Sequence, residues 1–140
     1  MSFLHLLDTD TLSRHERGYK PLSDRITAVP LGQIAVSVIS VEEQMTGRLA
    51  VVRRARSDEE LADAYQGLTT SIRNLYGFHI MTFTEVAIVR YNLLLSMRLN
   101  IGKMDLRIAA IALEAGAMVI TRNLRDFQRV PELICENWAD

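Results

Sequence analysis

The sequence predicts an α/β fold: a mainly parallel central sheet of four to five strands, with helices on both faces and a helical hairpin. Short apolar runs typical of buried strands alternate along the chain with longer segments of helical periodicity. This alternation favours parallel pairing, because each helix returns the chain to the same edge of the sheet. The 140 residues contain no repeat and no linker, so residues 1–140 are interpreted as one domain.

Five segments are expected to be strands. The first is a compact apolar run that ends abruptly at Asp8, and the second is rich in β-branched residues. The others are shorter apolar runs that follow helical segments or, in the last case, Pro131. The predicted strands are 3–7, 34–39, 79–83, 118–121 and 133–136.

The helices are predicted from apolar residues at helical spacing and from residues that begin or end helices. The expected positions are 9–17, 21–29, a helix starting at Ser40, a helix from Asp58 to Gly77, 84–99 and 105–115. The two long helices on either side of Ser57 should form an antiparallel hairpin. Their predicted buried stripes are Val41, Met45, Leu49 and Val52, and Leu61, Tyr65, Leu68, Ile72 and Leu75.

Composition excludes several classes of protein. The single Cys135 cannot form an internal disulfide, and it excludes a zinc site built from several cysteines. A reducing cytoplasm is therefore the expected compartment. No apolar run is long enough to span a bilayer, and the N-terminus lacks the pattern of a signal peptide. The net charge of −1 gives no global basic field, so any attraction to nucleic acid must come from local patches.

Four carboxylates are predicted to converge on one edge of the sheet. In parallel sheets, sites form where the strands end. Asp8 and Asp126 follow predicted strands, whereas Glu43 and Asp105 lie in the first turns of predicted helices. Carboxylates packed together repel each other unless a cation compensates, and Mg²⁺ and Mn²⁺ prefer oxygen ligands. The pattern therefore predicts a metal site in which two ions could act on a phosphate.

Each of these carboxylates also has a simpler structural interpretation. Asp8 can cap the helix that follows it. Ser40 and Glu43 have the spacing of a capping box. Asp105 can favour its helix through the helix dipole, and Asp126 can organise a turn. Sequence alone leaves both interpretations open for every position.

Four segments resemble the motifs of the PIN-domain family, and within it the VapC-type toxin ribonucleases of type II toxin–antitoxin systems. The resemblance covers nearly the whole chain. LLDTD is similar to the first acidic motif, and SVISVEEQMTG to the second, with Glu43 in the acidic position. IGKMDLRIAAIALEAGA is similar to the third motif, with Asp105, and VITRNLRDFQRVPELICENW to the fourth, with Asp126.

The resemblance implies a Mg²⁺-dependent endoribonuclease, with Mn²⁺ as the alternative ion, that is neutralised by a cognate antitoxin and forms homodimers. It implies that Asp8, Glu43, Asp105 and Asp126 are the catalytic and metal-site residues. Thr121 and Asn123 are secondary polar candidates, and Asn123 stands where many relatives carry an Asp. Arg122 and Arg125 are candidates for contacts with RNA phosphates. Lys103 is a candidate of the same kind, and Arg53, Arg54 and Arg56 are candidates for contact with RNA or with an acidic antitoxin segment.

Two other functions are compatible with parts of the sequence. A non-catalytic PIN-like module that binds RNA or protein would be favoured by loss of acidic motif residues, but all four are present. A phosphatase with an aspartyl-phosphate intermediate would use a paired Asp-x-Asp motif. Asp8 and Asp10 have that spacing, although no lysine downstream stands in a convincing setting.

Overall fold

A computed structural model describes residues 4–140 and contains a five-stranded sheet in which every pair of neighbouring strands is parallel. The strands are β1 (His5–Leu7), β2 (Ile34–Ser37), β3 (His79–Met81), β4 (Met118–Ile120) and β5 (Cys135–Glu136). Their order across the sheet is β3-β2-β1-β4-β5. Phe3, which the sequence placed in the first strand, lies outside the described residues.

Helices alternate with these strands. They are α1 (Thr9–Glu16), α2 (Lys20–Thr27), α3 (Val38–Arg54), α4 (Asp58–Tyr76), α5 (Glu85–Ser96), α6 (Lys103–Ala115) and α7 (Leu124–Phe127). A short 3-10 turn at Leu31–Gln33 precedes β2. The predicted α/β class, parallel sheet and helical hairpin are confirmed. The short α7 was not predicted, and α6 begins two residues before the predicted start at Asp105.

The central strand β1 divides the core into two apolar clusters, because successive residues of a strand point to opposite faces of the sheet. Leu6 belongs to the cluster that contains the buried alanines of α6, and Leu7 belongs to the cluster that contains Leu12 and Trp138. Both leucines are fully buried. Since β1 pairs with β2 on one side and β4 on the other, the residue after Leu7 emerges at the middle of the carboxyl edge.

The start of α3 differs from the prediction. The helix begins at Val38, and its N-cap is Ser37, whose hydroxyl accepts a hydrogen bond from the Ser40 amide at 3.2 Å. Ser40 therefore lies inside the first turn, and the predicted capping box of Ser40 and Glu43 is wrong. The β-branched pair after Ser37 has the composition of a strand, so the sequence pattern extended β2 too far. The Glu43 carboxylate is consequently available for a role other than capping.

The predicted stripe of α4 is also largely wrong. Leu61, Tyr65 and Ile72 are 39%, 53% and 54% exposed, and the buried residues of this helix are Ala64, Ser71 and Leu75. Two of these buried side chains, those of Ala64 and Ser71, are small. At Gly67 the lack of a Cβ leaves room for the end of the Arg48 side chain, because a Cβ would lie only 2.9 Å from its Nη1. On α3, Leu49 is likewise 40% exposed instead of buried. The hairpin thus leaves apolar side chains on its surface.

None of the helices described within residues 4–140 has the length and apolar character needed to cross a membrane.

Candidate functional site

Three of the four predicted carboxylates meet at the carboxyl edge of the sheet. Asp8, Glu43 and Asp105 line one open cleft of about 710 Å³, which Arg122 and Asn123 also line. Each acidic residue comes from a different part of the chain: the end of β1, the second turn of α3 and the first turn of α6. The sheet order brings them together, as expected for parallel strands.

Asp8 is fixed at the centre of the cleft by hydrogen bonds. Its amide donates to the Ile120 carbonyl at 3.1 Å, and its carboxylate accepts from the Thr11 amide at 2.9 Å. The residue is 5% exposed, and this burial raises the pKa of the carboxyl group, whereas bonds from Thr11 and Thr121 act in the opposite direction. Asp8 therefore caps α1, as the simpler interpretation proposed, and lines the cleft as well.

Glu43 is oriented by the first residue of α1. The Thr9 hydroxyl donates to Oε1 of Glu43 at 2.6 Å, and Oγ1 of Thr9 lies 2.9 Å from Oγ of Ser40. These contacts connect the beginnings of α1 and α3 across the cleft. Sequence reasoning gave no role to Thr9 or to this use of Ser40, because contacts between such distant positions leave no local signal.

Among the acidic groups of the cleft, the carboxyl group of Asp105 has the most strongly shifted pKa. Burial raises its pKa first, and the carboxylates of Asp8, Glu43 and Asp126 raise it further, to about 6. Every charged neighbour that acts on this pKa is thus another carboxylate. The N-cap of α6 is Gly102, which offers no side-chain cap, so the helix dipole is the local interaction that favours negative charge here.

Asp126 occupies a different position from the other three carboxylates. One oxygen accepts from Nδ2 of Asn123 at 2.8 Å, and the other accepts from Nη1 of Arg129 at 3.2 Å. The charge of Asp126 reaches Asp105, but its side chain does not line the cleft. The Asp126 carboxylate instead holds the side-chain amide of Asn123, and Asn123 does line the cleft.

The remaining predicted residues divide between the cleft and its surroundings. Thr121 is 1% exposed, and its hydroxyl accepts a hydrogen bond from the backbone amide of Asn123 at 2.9 Å. Its side chain also stabilises the charged form of Asp8. Arg122 is an exposed residue of the cleft lining, whereas Arg125 lies in the last turn of α7 outside it. The structure therefore separates the two arginines that the sequence treated as a pair.

One face of α1 contributes cleft residues that the sequence analysis missed. Thr9, Ser13 and Arg17 line the cleft together with Asp10. The spacing of four residues places the first three on the same side of a helix that starts beside Asp8. This polar stripe is visible in the sequence and could have been found by examining α1 for periodicity of polar residues.

The donor set suits a hard, hydrated cation. Within residues 4–140, no three acidic, histidine or cysteine side chains are grouped closely enough to enclose one metal ion directly. Mg²⁺ usually keeps several waters and is bound through one or two carboxylates, so it does not require such a group. A cation would also relieve the repulsion that raises the pKa of Asp105. The residues present therefore fit a divalent ion held partly through water.

Comparison with known proteins identifies similar chains. No family model matches the sequence. A segment of 40 residues is 48% identical to ribonuclease VapC2 of Rickettsia felis, and it covers 29% of this chain and 30% of that protein. The match thus spans less than a third of the relative's length.

Solved structures match over nearly the whole chain. VapBC2 from Rickettsia felis, bound to a DNA fragment from its promoter, is 25% identical with a TM-score of 0.75, covering 96% of this chain and 98% of that one. A toxin–antitoxin complex from Klebsiella pneumoniae is 25% identical with a TM-score of 0.69, covering 93% and 95%. The chain is therefore similar to VapC toxins both in one sequence segment and in its whole fold. It has the VapC-type PIN-domain fold, which agrees with the resemblance of its four acidic segments to the motifs of that family.

Proposed function

We propose that this chain is a Mg²⁺-dependent endoribonuclease and the toxin of a toxin–antitoxin pair. The observation that carries the proposal is the meeting of Asp8, Glu43 and Asp105 in one open cleft, where the neighbouring charges that raise the pKa of Asp105 come from carboxylates. The similarity to a protein named as a ribonuclease and to toxin–antitoxin complexes supports RNA as the substrate and an antitoxin as the partner.

In this mechanism Asp8 and Asp105 would hold the ion, and Glu43 would complete its surroundings directly or through water. A bound Mg²⁺ would polarise a phosphate oxygen and make a nearby water more acidic. Thr9 donates to Oε1 of Glu43, which leaves Oε2 to take a proton from the water that attacks phosphorus as the P–O bond to the leaving ribose oxygen breaks. Asp126 orients the amide of Asn123 at the cleft wall. Arg122 provides a permanent positive charge for the substrate phosphate.

The direct test is cleavage of total RNA by the purified chain. We expect fragments to appear with Mg²⁺ or Mn²⁺, to disappear with excess EDTA and to return when Mg²⁺ is restored. The same titration with Ca²⁺ separates metal binding from catalysis. A wild-type chain that binds RNA but leaves it intact with every ion would support the alternative of a non-catalytic binding module.

We propose that the antitoxin binds an apolar surface of the hairpin. The side chains of Leu61, Tyr65 and Ile72 lie exposed on α4, at spacings that place them near one face of the helix. Exposed apolar patches of this kind mark sites of protein contact. We assign this face to the antitoxin because the similar chains are solved as complexes with a partner.

Homodimer formation is proposed through α5. Val86, Val89, Leu93 and Met97, the last just beyond the helix end, are 61%, 65%, 54% and 45% exposed and recur at three- and four-residue spacing. We expect Leu93→Glu to convert a dimer into a monomer in size-exclusion chromatography with light scattering, because a charge at the centre of an apolar interface is not compensated. Leu31→Glu, a control at a 77% exposed apolar residue outside α5, should leave the dimer intact. An unchanged mass for Leu93→Glu would exclude α5 as the interface.

A further inference from the structure

The acidic cleft continues into a second cavity. This cavity has a volume of about 480 Å³ and lies between α1 and the hairpin of α3 and α4. Ser13 and Arg17 line both cavities, so the two form a continuous groove. Most residues that line the second cavity have polar side chains, and hydroxyl and amide groups lie beside the guanidinium groups of Arg17 and Arg48. A substrate longer than one nucleotide must leave the cleft in some direction, and this groove offers a path.

Arg48 is held in place at the far end of this groove. Its Nε donates to Oγ of Ser71 at 2.7 Å, and Ser71 is only 2% exposed. Nη1 lies where a side chain at position 67 would project, and Gly67 leaves that space open. The bond through Nε restrains the guanidinium, and Arg48 is part of the groove lining. Such a fixed fork suits the oxygens of a phosphate.

The charges of the groove favour an anion. None of the ion pairs formed within residues 4–140 involves Arg17 or Arg48. Glu16, an acidic side chain of the second cavity, accepts a hydrogen bond from the Gln44 amide, and it stands against two arginines there. Arg48 also lines the next cavity along the hairpin, where Arg54 stands with Glu60 and Asp63 and the charges balance. The excess of positive charge therefore lies in the second cavity, between the cleft and Arg48.

We propose that this groove binds the single-stranded RNA next to the bond that is cut, with Arg17 and Arg48 contacting consecutive backbone phosphates. The inference rests on the proposed ribonuclease function and adds the direction in which the substrate lies. Arg48 is a binding residue remote from the carboxylates, and Ser71 and Gly67 are positioning residues that act through it.

The test measures RNA binding separately from cleavage. The probe is a fluorescent 12-nucleotide single-stranded RNA of mixed sequence, bound to the Asp105→Asn variant in Mg²⁺ and followed by anisotropy at several salt concentrations. Arg48→Ala in this background should weaken binding about five- to tenfold and reduce the salt dependence by roughly one phosphate contact. Gly67→Ala should weaken binding without removing a charge, because the added methyl group displaces the guanidinium.

Arg73→Ala is the matched control. Arg73 is an exposed arginine of α4 that lines neither cavity, so its loss removes the same charge from the other helix of the same hairpin. Equal effects of Arg48→Ala and Arg73→Ala would overturn the proposal, since only the net charge would then matter. The proposal would also be overturned by an Arg48→Ala variant that binds RNA normally but no longer binds a co-expressed antitoxin, because the groove would then be a protein-binding site. Failure of the wild-type chain to cleave RNA is a separate result that contradicts the ribonuclease function.

Discussion

Replacement of Asp105 by Asn is expected to lower the rate of RNA cleavage by at least about 1000-fold, since in the proposed mechanism this carboxylate holds a metal that would supply several kcal/mol of stabilisation to the transition state. Asn preserves the size of the side chain and its helical position but removes the negative charge. The fold should survive, because Asp105 is a half-buried residue in the first turn of α6 and forms no ion pair with any residue between positions 4 and 140. The measurement is single-turnover cleavage of a labelled RNA at saturating Mg²⁺.

Asp8→Asn should have a comparable effect on cleavage. Asn is as good an N-cap as Asp, so α1 keeps its cap while the cleft loses a charge. The matched control is Asp24→Asn on α2, where the side chain pairs with Lys20 at the surface. The control should cleave RNA like the wild type. Full activity of either cleft variant after purification would refute the assignment of these carboxylates to the metal site.

The same Asp105→Asn substitution is expected to stabilise the metal-free protein at neutral pH. The pKa of Asp105 rises from 3.8 to about 6 in the folded state, so the folded protein binds this proton more tightly than the unfolded chain does. The stabilisation that protonation provides is complete below pH 3.8 and is lost as the pH rises through about 6. Above that pH the wild type retains an unfavourable charge that Asn does not carry.

The predicted gain is on the order of 1 kcal/mol at pH 7.5 in EDTA, after a reduction for solvent screening of this half-buried group. It corresponds to a rise in Tm of about 3 °C. The quantity to measure is the difference in Tm between variant and wild type from pH 4 to pH 8, because other titrating groups such as His15 cancel in that difference. The difference should be largest above pH 6 and shrink on acidification. A difference that is constant over this range would show that repulsion at Asp105 does not control stability.

The strand pattern was predictable because each strand is a short apolar run bounded by a clear change of composition. The failures have local causes. Val38 and Ile39 look like strand residues, yet Ser37 caps a helix that begins immediately after it. On α4, periodicity identified the apolar face, but burial followed the small residues Ala64 and Ser71 because close approach to α3 decides which side is covered. The four residues of α7 are too few for a periodic signal.

For the candidate site, the ends of strands and the starts of helices predicted that four carboxylates converge at one edge, but not how each is held. Asp8, Glu43 and Asp105 line the cleft, whereas Asp126 does not. The ion pair between Asp126 and Arg129 depends on how α7 is turned, and no pattern in the fourth motif specifies it. The contact of Arg48 with Ser71 joins positions 23 residues apart on two helices. Such contacts depend on how the helices pack together, and no pattern in a single sequence predicts that packing.

The central position of β1 also determines when the cleft can exist during synthesis. Asp8 is synthesised before Ile120, which anchors its amide, and Asp105 follows Asp8 almost a hundred residues later. Until β4 emerges from the ribosome and pairs with β1, the nascent chain holds the first carboxylate without the partners that surround it. A chain that cleaves RNA would thereby remain inactive while the segment from β1 to β4 is being translated. Topology alone would delay its activity until β4 has been made.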